Sequence, residues 1–266
     1  TRLVSSIGVP GSLAVDSGPA AVLSPDGRTI VFRVRKDNIA KLYVRRLDEL
    51  EATELPGTED ATNPFFSPDG ASLGFFASSG LKTIPIAGGA VTTLTDAATG
   101  RGAAWAENGD IIFQPSILPK TPLERITAAG ARTARATTLA PEEITHRWPQ
   151  FLPGGKILYG GNSDVAEWNG GTLRVQTEPG AAGKLVLRGG FHGRYVPTGH
   201  LLYVHAGTLY GVRFDIDRIE TAGQPVAVIE RVVASTGTGG AQFSFASNGT
   251  LAYVHGDSSG VRGAAW

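Results

Sequence analysis

"LSPDGRTIVF" (residues 23–32) comes back as "FSPDGASLGFF" (66–76), then in weaker form as "WAENGDIIF" (105–113), "FLPGGKILY" (151–159), "YVPTGHLLY" (195–203) and "FASNGTLAY" (245–253). The turn glycines Gly27, Gly70, Gly109, Gly155, Gly199 and Gly249 stand 43, 39, 46, 44 and 50 residues apart. Self-similarity at such a period marks a repeat architecture. Each copy has the chemistry of a hairpin: Ser opens the turn, Pro presets φ, Asp or Asn follows, and Gly takes the place where φ is positive. Alternating apolar residues on either side make two strands.

Each hairpin is followed by a third β-like run, as in "KLYVRRL" (41–47), "LKTIPI" (81–86), "TLRVQT" (172–177) and "TLYGVRF" (208–214). A fourth follows in "ATELP" (52–56), "AVTTL" (90–94), "KLVLR" (184–188) and "PVAVI" (225–229). Four strands per repeat, set radially, describe the blade of a β-propeller. The fold expected is therefore all-β: a six-bladed propeller of four-stranded antiparallel blades, one domain over residues 1–266. After "GTLAYVHG" only "VRGAAW" (261–266) remains as a strand, so the last blade is one strand short. "RLVSSI" (2–7) is expected to complete it and close the ring, which would remove exposed edges.

Composition agrees and narrows the function. The chain has 36 Gly and 16 Pro, with apolar residues in short β-type runs. Lys+Arg and Asp+Glu both total 24, so no basic stripe points to nucleic acid or an anionic membrane. No apolar stretch approaches the roughly 20 residues that span a bilayer, and the segment is expected to be soluble and to make no membrane contact itself. With no Cys, disulfide and thiolate chemistry are excluded. The absence of Met suggests a segment cut from a longer protein, and cleavage of a leader would look the same.

The blades lack the Trp-Asp and Gly-His marks of WD40 repeats. The "SPDG" hairpins resemble the TolB-like, PD40 type. Over the segment from "LYVRRLDELEATELPGTED" to "GGAVTTL", then "GRGAAWAENGDIIF", "HRWPQFLPGGKILY", "GHLLYVHAGTLYGVRFD" and "GTLAYV", the chain resembles the propeller that lies C-terminal to the kinase and membrane span in bacterial receptor-type Ser/Thr protein kinases. The resemblance implies an extracytoplasmic, non-catalytic sensor or scaffold that binds a protein, peptide or small-molecule ligand. It also implies further "SPDG" blades beyond Trp266. Kinase motifs themselves are missing: "HRW" (146–148) has Trp where a catalytic loop needs Asp.

Candidate site residues follow from the repeat. Inner strands run from the top face to the turns at the bottom, so the residues seven before each turn glycine should ring the top mouth of the channel. These are Ala20, Asn63, Gly102, Trp148, His192 and Gln242, with Arg101, His146 and Arg147 beside them. The ends of the second strands add His205 and His255. Four histidines, His146, His192, His205 and His255, would share this face and offer a candidate site for a divalent metal, Zn or Ca. That is the alternative function, a metal-dependent hydrolase working from the top of the channel, with Glu142, Glu143 and Asp164 in nearby loops. His200 follows a turn and should lie at the opposite end.

Weaker motifs have blander readings. "GDSSG" (256–260) matches G-x-S-x-G around Ser258 but leads into a strand rather than a helix. "FDID" (214–217) reads as a solvated turn, and "STGTGG" (235–240) as a flexible rim on the channel. The aromatics before the turns, Phe66, Trp105, Phe151, Tyr195 and Phe245, read as packing between blades.

Overall fold

A computed structural model describes residues 4–5, 8–127, 130–257 and 260–265. Most of "RLVSSI" and Trp266 lie outside the described residues, as does Ser258. Strands pair antiparallel throughout the main sheets. Five sheets have four strands each, with inner strands Thr62–Phe66, Ala103–Trp105, Thr145–Phe151, Phe191–Val196 and Phe243–Phe245. The protein is an all-β propeller of four-stranded antiparallel blades.

The expectation of six four-stranded blades is corrected to five. Five have four strands, whereas the sheet of the first repeat has five. Its inner strand is broken in two: Ser12–Leu13 and Ala21–Leu23 both pair with Thr29–Lys36. The cause lies in residues 15–19, which leave the sheet between the hydrogen bonds Ala14 N to Arg33 O and Arg33 N to Ala20 O. They cross to the channel axis and pack on Trp148, and a sequence pattern of strand residues does not report such an excursion. In the third repeat the outer strands Glu124–Thr127 and Gly130–Arg135 had no clear alternation to announce them. Val4–Ser5 pairs with Gly260–Ala265.

All six turn glycines have positive φ, from 69° at Gly27 to 89° at Gly249. In the first two turns the Ser hydroxyl donates to the Asp carboxylate two residues on, at 2.6 Å in both. The same Ser oxygen accepts the N–H five residues on, which fixes the start of the second strand. Local chemistry thus sets the register, and register decides which apolar side chains meet.

Those side chains form six cores, each joining two consecutive repeats. Val22, Val31 and Leu42 meet Leu73, Phe75 and Ile84 between the first and second repeats. Ala21, Ile30 and Phe32 meet Ala246 and Ala252 between the first and the sixth. Among the described residues the smallest core, around Ile112, Leu123, Ala136, Ile157 and Tyr159, lies between the third and fourth. Packing of sheet on sheet around a circle leaves the inner strands facing one central channel. Among the described residues no helix is long and apolar enough to cross a membrane.

Candidate functional site

At four of the six positions seven residues before a turn glycine the backbone is left-handed. Asn63, Gly102, Trp148 and His192 all take positive φ, at 50°, 89°, 55° and 54°. Pairing with the second strand skips there, between Thr62 and Phe65, Arg147 and Gln150, and Phe191 and Arg194. A left-handed residue in a bulge turns its side chain out of the strand's ordinary alternation. In the fourth repeat that side chain is an indole, which enters the channel.

Trp148 plugs the channel. It is 2 % exposed, and a Cβ added to Gly18, Gly102 or Gly240 would collide with its ring. Three glycines from three repeats therefore make the room for one tryptophan. Its Nε1–H donates to Thr238 O at 3.0 Å, and its ring lies 5.0 Å from that of His192, which in turn meets Phe243 edge-on. Around this plug Gln242 and Asn63 bind the segment of residues 15–20 and Gly100. Gln242 accepts from Ala20 N and donates to the carbonyls of Val15 and Gly18. Asn63 donates to Gly100 O and accepts from the Ser17 hydroxyl.

The ring residues are therefore not a mouth. Asn63, Arg147, Trp148, His192 and Gln242 are all buried, and together they close the top of the channel. Arg147 donates to the carbonyls of Val165, Gly237 and Thr238 and lies over Trp168, 4.8 Å from its ring. Burial, and then the charge of Arg101, push its guanidinium down to about 10. The "STGTGG" stretch, read as a rim, is the hairpin between Ala234–Ser235 and Gly240–Ala241 that lies over this closed end. Arg101, half-buried, shares the closed end; burial lowers its pKa and the charge of Asp16 opposes this.

The histidines are not brought together. His146 is fully buried, its Nδ1 accepting from the Thr137 hydroxyl at 2.8 Å and its Nε2 donating to Glu143 at 3.0 Å. Glu143 also pairs with Arg174 at 2.5 Å, and Arg174 with Glu142 at 2.6 Å. His146, with Glu142 and Glu143, belongs to this structural network, so both its nitrogens are used. His192 is walled in by aromatic rings, whereas His205 is exposed and His255 half-buried. Among the described residues no three His, Cys, Asp or Glu side chains stand where they would hold one ion. His200 sits at the turn end, paired with Val196, as expected. Asp215 of "FDID" accepts the N–H groups of Asp217 and Arg218, a solvated turn.

Complete burial, and then the charge of Arg194, hold the His192 imidazole well below its ordinary 6.5, opposed by the Gly239 carbonyl. The unfolded chain takes up a proton near pH 6.5 that the folded chain refuses. Stability contributed by the neutral ring is present above that pH and is lost as pH falls. Burial lowers His146 in the same direction. The expected result is a melting temperature that declines from about pH 7 to pH 5, with a shallower decline in His192→Asn. Asn occupies this left-handed position in the second repeat. Equal slopes in the two proteins would remove His192 as a source.

The opening lies at the other end. A cavity of about 650 Å³ runs down the inner strands from Trp148 and His192 to the exposed Pro153, Pro197 and Ser247 beside the turns. Near the opening Phe66, Trp105, Phe151, Tyr195 and Phe245 stand half-buried around the wall. They pack between blades, as the repeat suggested, and they also face the cavity. Among the described residues Arg194 is the one charged side chain of this wall, and sequence reasoning missed it. The signal was present: five residues before the turn glycines stand Val22, Phe65, Ala104, Gln150, Arg194 and Ser244, with a single charge among them. Gln150 bonds the backbone of Tyr195 both ways and Ser244 accepts Leu23 N–H, so this position reaches across to the next strand. Arg194 Nη1 donates to Trp148 O and Gly193 O, both at 2.9 Å. Burial alone pushes Arg194 down to about 10, with no carboxylate acting on it.

Four-stranded sheets around a channel, each entered by the same turn, define the class: a β-propeller. Within it the chain has the fold of TolB and other PD40- or WD40-type propellers. It superposes on a TolB-type protein of Agrobacterium tumefaciens with a TM-score of 0.64 at 14 % identity, covering 88 % of this chain and 87 % of that one. TolB of Acinetobacter baumannii gives 0.60 at 15 %, covering 80 % and 55 %. An oligogalacturonate lyase of Vibrio parahaemolyticus gives 0.61 at 10 %, covering 96 % and 76 %. No protein-family model and no curated protein sequence matches the chain.

Proposed function

We propose that this chain is a non-catalytic binding domain, the sensor or scaffold propeller of a bacterial membrane-associated protein of the receptor-kinase type, and that it takes its ligand into the channel from the turn side. The observation that carries this reading is the make-up of the cavity. A space of about 650 Å³, closed at one end, aromatic at the other and with few polar groups, is of the size and chemistry that hold ligands. Its titratable side chains are His192, Arg194 and Tyr195. Among the described residues no carboxylate or thiol lines it to serve as base, nucleophile or metal ligand, and this supports holding over hydrolysis. The kinase-type parent and the extracytoplasmic location rest on the sequence resemblance, and the likeness to TolB structures supports the fold. We also read the five-stranded sheet as the sixth blade, residues 1–266 as one domain, and the pairing of Val4–Ser5 with Gly260–Ala265 as the closure of the ring.

The absence of Cys makes the test direct. Peptides selected from a random display library against the chain are assayed on two variants carrying a polymer-linked maleimide. One is Ser247→Cys, exposed at the opening, and the other is Ser163→Cys, exposed beside the closed end. Blocking at Ser247→Cys is expected to weaken binding about tenfold or more and blocking at Ser163→Cys to leave it unchanged. The reverse pattern would place binding on the closed face and refute the reading.

A further inference from the structure

The channel holds a guanidinium that the fold does not neutralise. Buried charges are ordinarily paired, and the buried Arg33, Arg147 and Arg174 either pair with carboxylates or bind several carbonyls. Arg33 pairs with Asp16, Arg174 with Glu142 and Glu143, and Arg147 spends itself on three carbonyls. Arg194 commits Nη1 to two carbonyls, and Nε and Nη2 make no hydrogen bond or ion pair with the described residues. It is half-buried by area although protein surrounds it, as suits a side chain that faces a channel. A cation fixed by backbone at the inner part of an apolar cavity favours an anion carried on an apolar body.

A second feature bears on the length of the ligand. Where the core between the third and fourth repeats is smallest, a groove of about 710 Å³ runs outward beside the turns. Trp105, Phe151 and Pro153 line both this groove and the channel. The two spaces thus meet over one apolar ridge. An occupant fixed in the channel has a continuous path to the outside of the ring, which a small molecule would not use.

We propose that the channel receives the C-terminus of an extended peptide: its free carboxylate pairs with Arg194, its last apolar side chains lie against Phe66, Phe245 and their neighbours, and its preceding residues leave over Pro153 into the groove. This rests on the channel being the binding site and adds the class of ligand. Two parallel hydrogen bonds from the free edge of Arg194 to a carboxylate supply orientation as well as attraction.

The probes are two pools of N-terminally dye-labelled hexapeptides ending in Leu, Val or Phe, one with a free carboxylate and one amidated. The free pool is expected to bind about tenfold or more tightly than the amidated one, the range for a hydrogen bond to a charged group. Arg194→Gln should abolish that preference and Arg194→Lys should keep part of it. Arg101→Gln, which removes the same charge at the closed end, should leave it intact. The preference is a ratio within one protein, so loss of stability in a variant does not mimic the result. Free 3-phenylpropionate at millimolar concentration should compete weakly; competition as strong as by the peptides would mean that the carboxylate claim holds for a small molecule and not for a peptide. Equal binding of the two pools, binding of neither, or a preference that survives Arg194→Gln would overturn the proposal. If equal binding is still abolished by the block at Ser247→Cys, the channel stands as the site and only the carboxylate claim falls. Binding indifferent to that block removes both.

Discussion

Trp148→Ala is expected to lower the melting temperature by roughly 10 °C. Replacing a fully buried Trp by Ala costs about 3–5 kcal/mol, and a domain of this size loses about 2–4 °C per kcal/mol. The void cannot close by local collapse, because the walls that face it are the backbones of Gly18, Gly102 and Gly240. Backbone conformation supplies a finer test. In ordinary strands Gly is less stable than Ala, but φ at Trp148 is 55°, a region where Ala is strained and Gly is not. Trp148→Gly is therefore expected to be no less stable than Trp148→Ala. Melting curves of the two variants check this, and an Ala variant clearly more stable than Gly would contradict the left-handed backbone at this position.

The second large effect is expected away from the channel. Arg174→Met removes the partner of two carboxylates and leaves Glu143, 6 % exposed, with His146, the Ala140 N–H and no cation. Stranding one half of a buried ion pair costs about 3–5 kcal/mol. The double change Arg174→Met with Glu143→Gln should recover part of the loss. A neutral amide oxygen can still accept from Ala140 and His146, and no buried charge is left without its counterion. The measurement is a double-mutant cycle by denaturant unfolding. A double variant at least as unstable as the sum of the singles would show that the network acts by packing rather than by charge.

The repeat was legible because it is written in local chemistry. Ser, Pro, Asp and Gly at the turns each act within five residues, and the six glycines took the conformation their positions demanded. The ring positions were legible for the same reason, since counting back from a turn is counting along one strand. What lay beyond counting was the direction of those side chains. A strand read as alternating does not announce a left-handed bulge at Asn63, Trp148 and His192, and so the residues of a supposed mouth became a seal. The loop of residues 15–19 was hidden likewise, because its reason, the indole of Trp148, comes from a repeat 130 residues away. Spacing offers His146 as a free ligand because its bonds to Thr137 and Glu143, and the pairing of Glu143 with Arg174, depend on how residues 136–144 fold back along the strand, which a repeat count does not report. Arg194 stood in plain view at a regular position, and its meaning depended on which end of the channel is open.

That point is decided most directly by a crystal structure of the chain with a peptide selected for binding. The account expects density inside the channel on the turn side, with apolar side chains against Phe66 and Phe245, an acidic group at Arg194, and Trp148 in place as the floor. A peptide seated over Ser17, Gly18 and the 235–240 hairpin, with the channel holding only solvent, would contradict it.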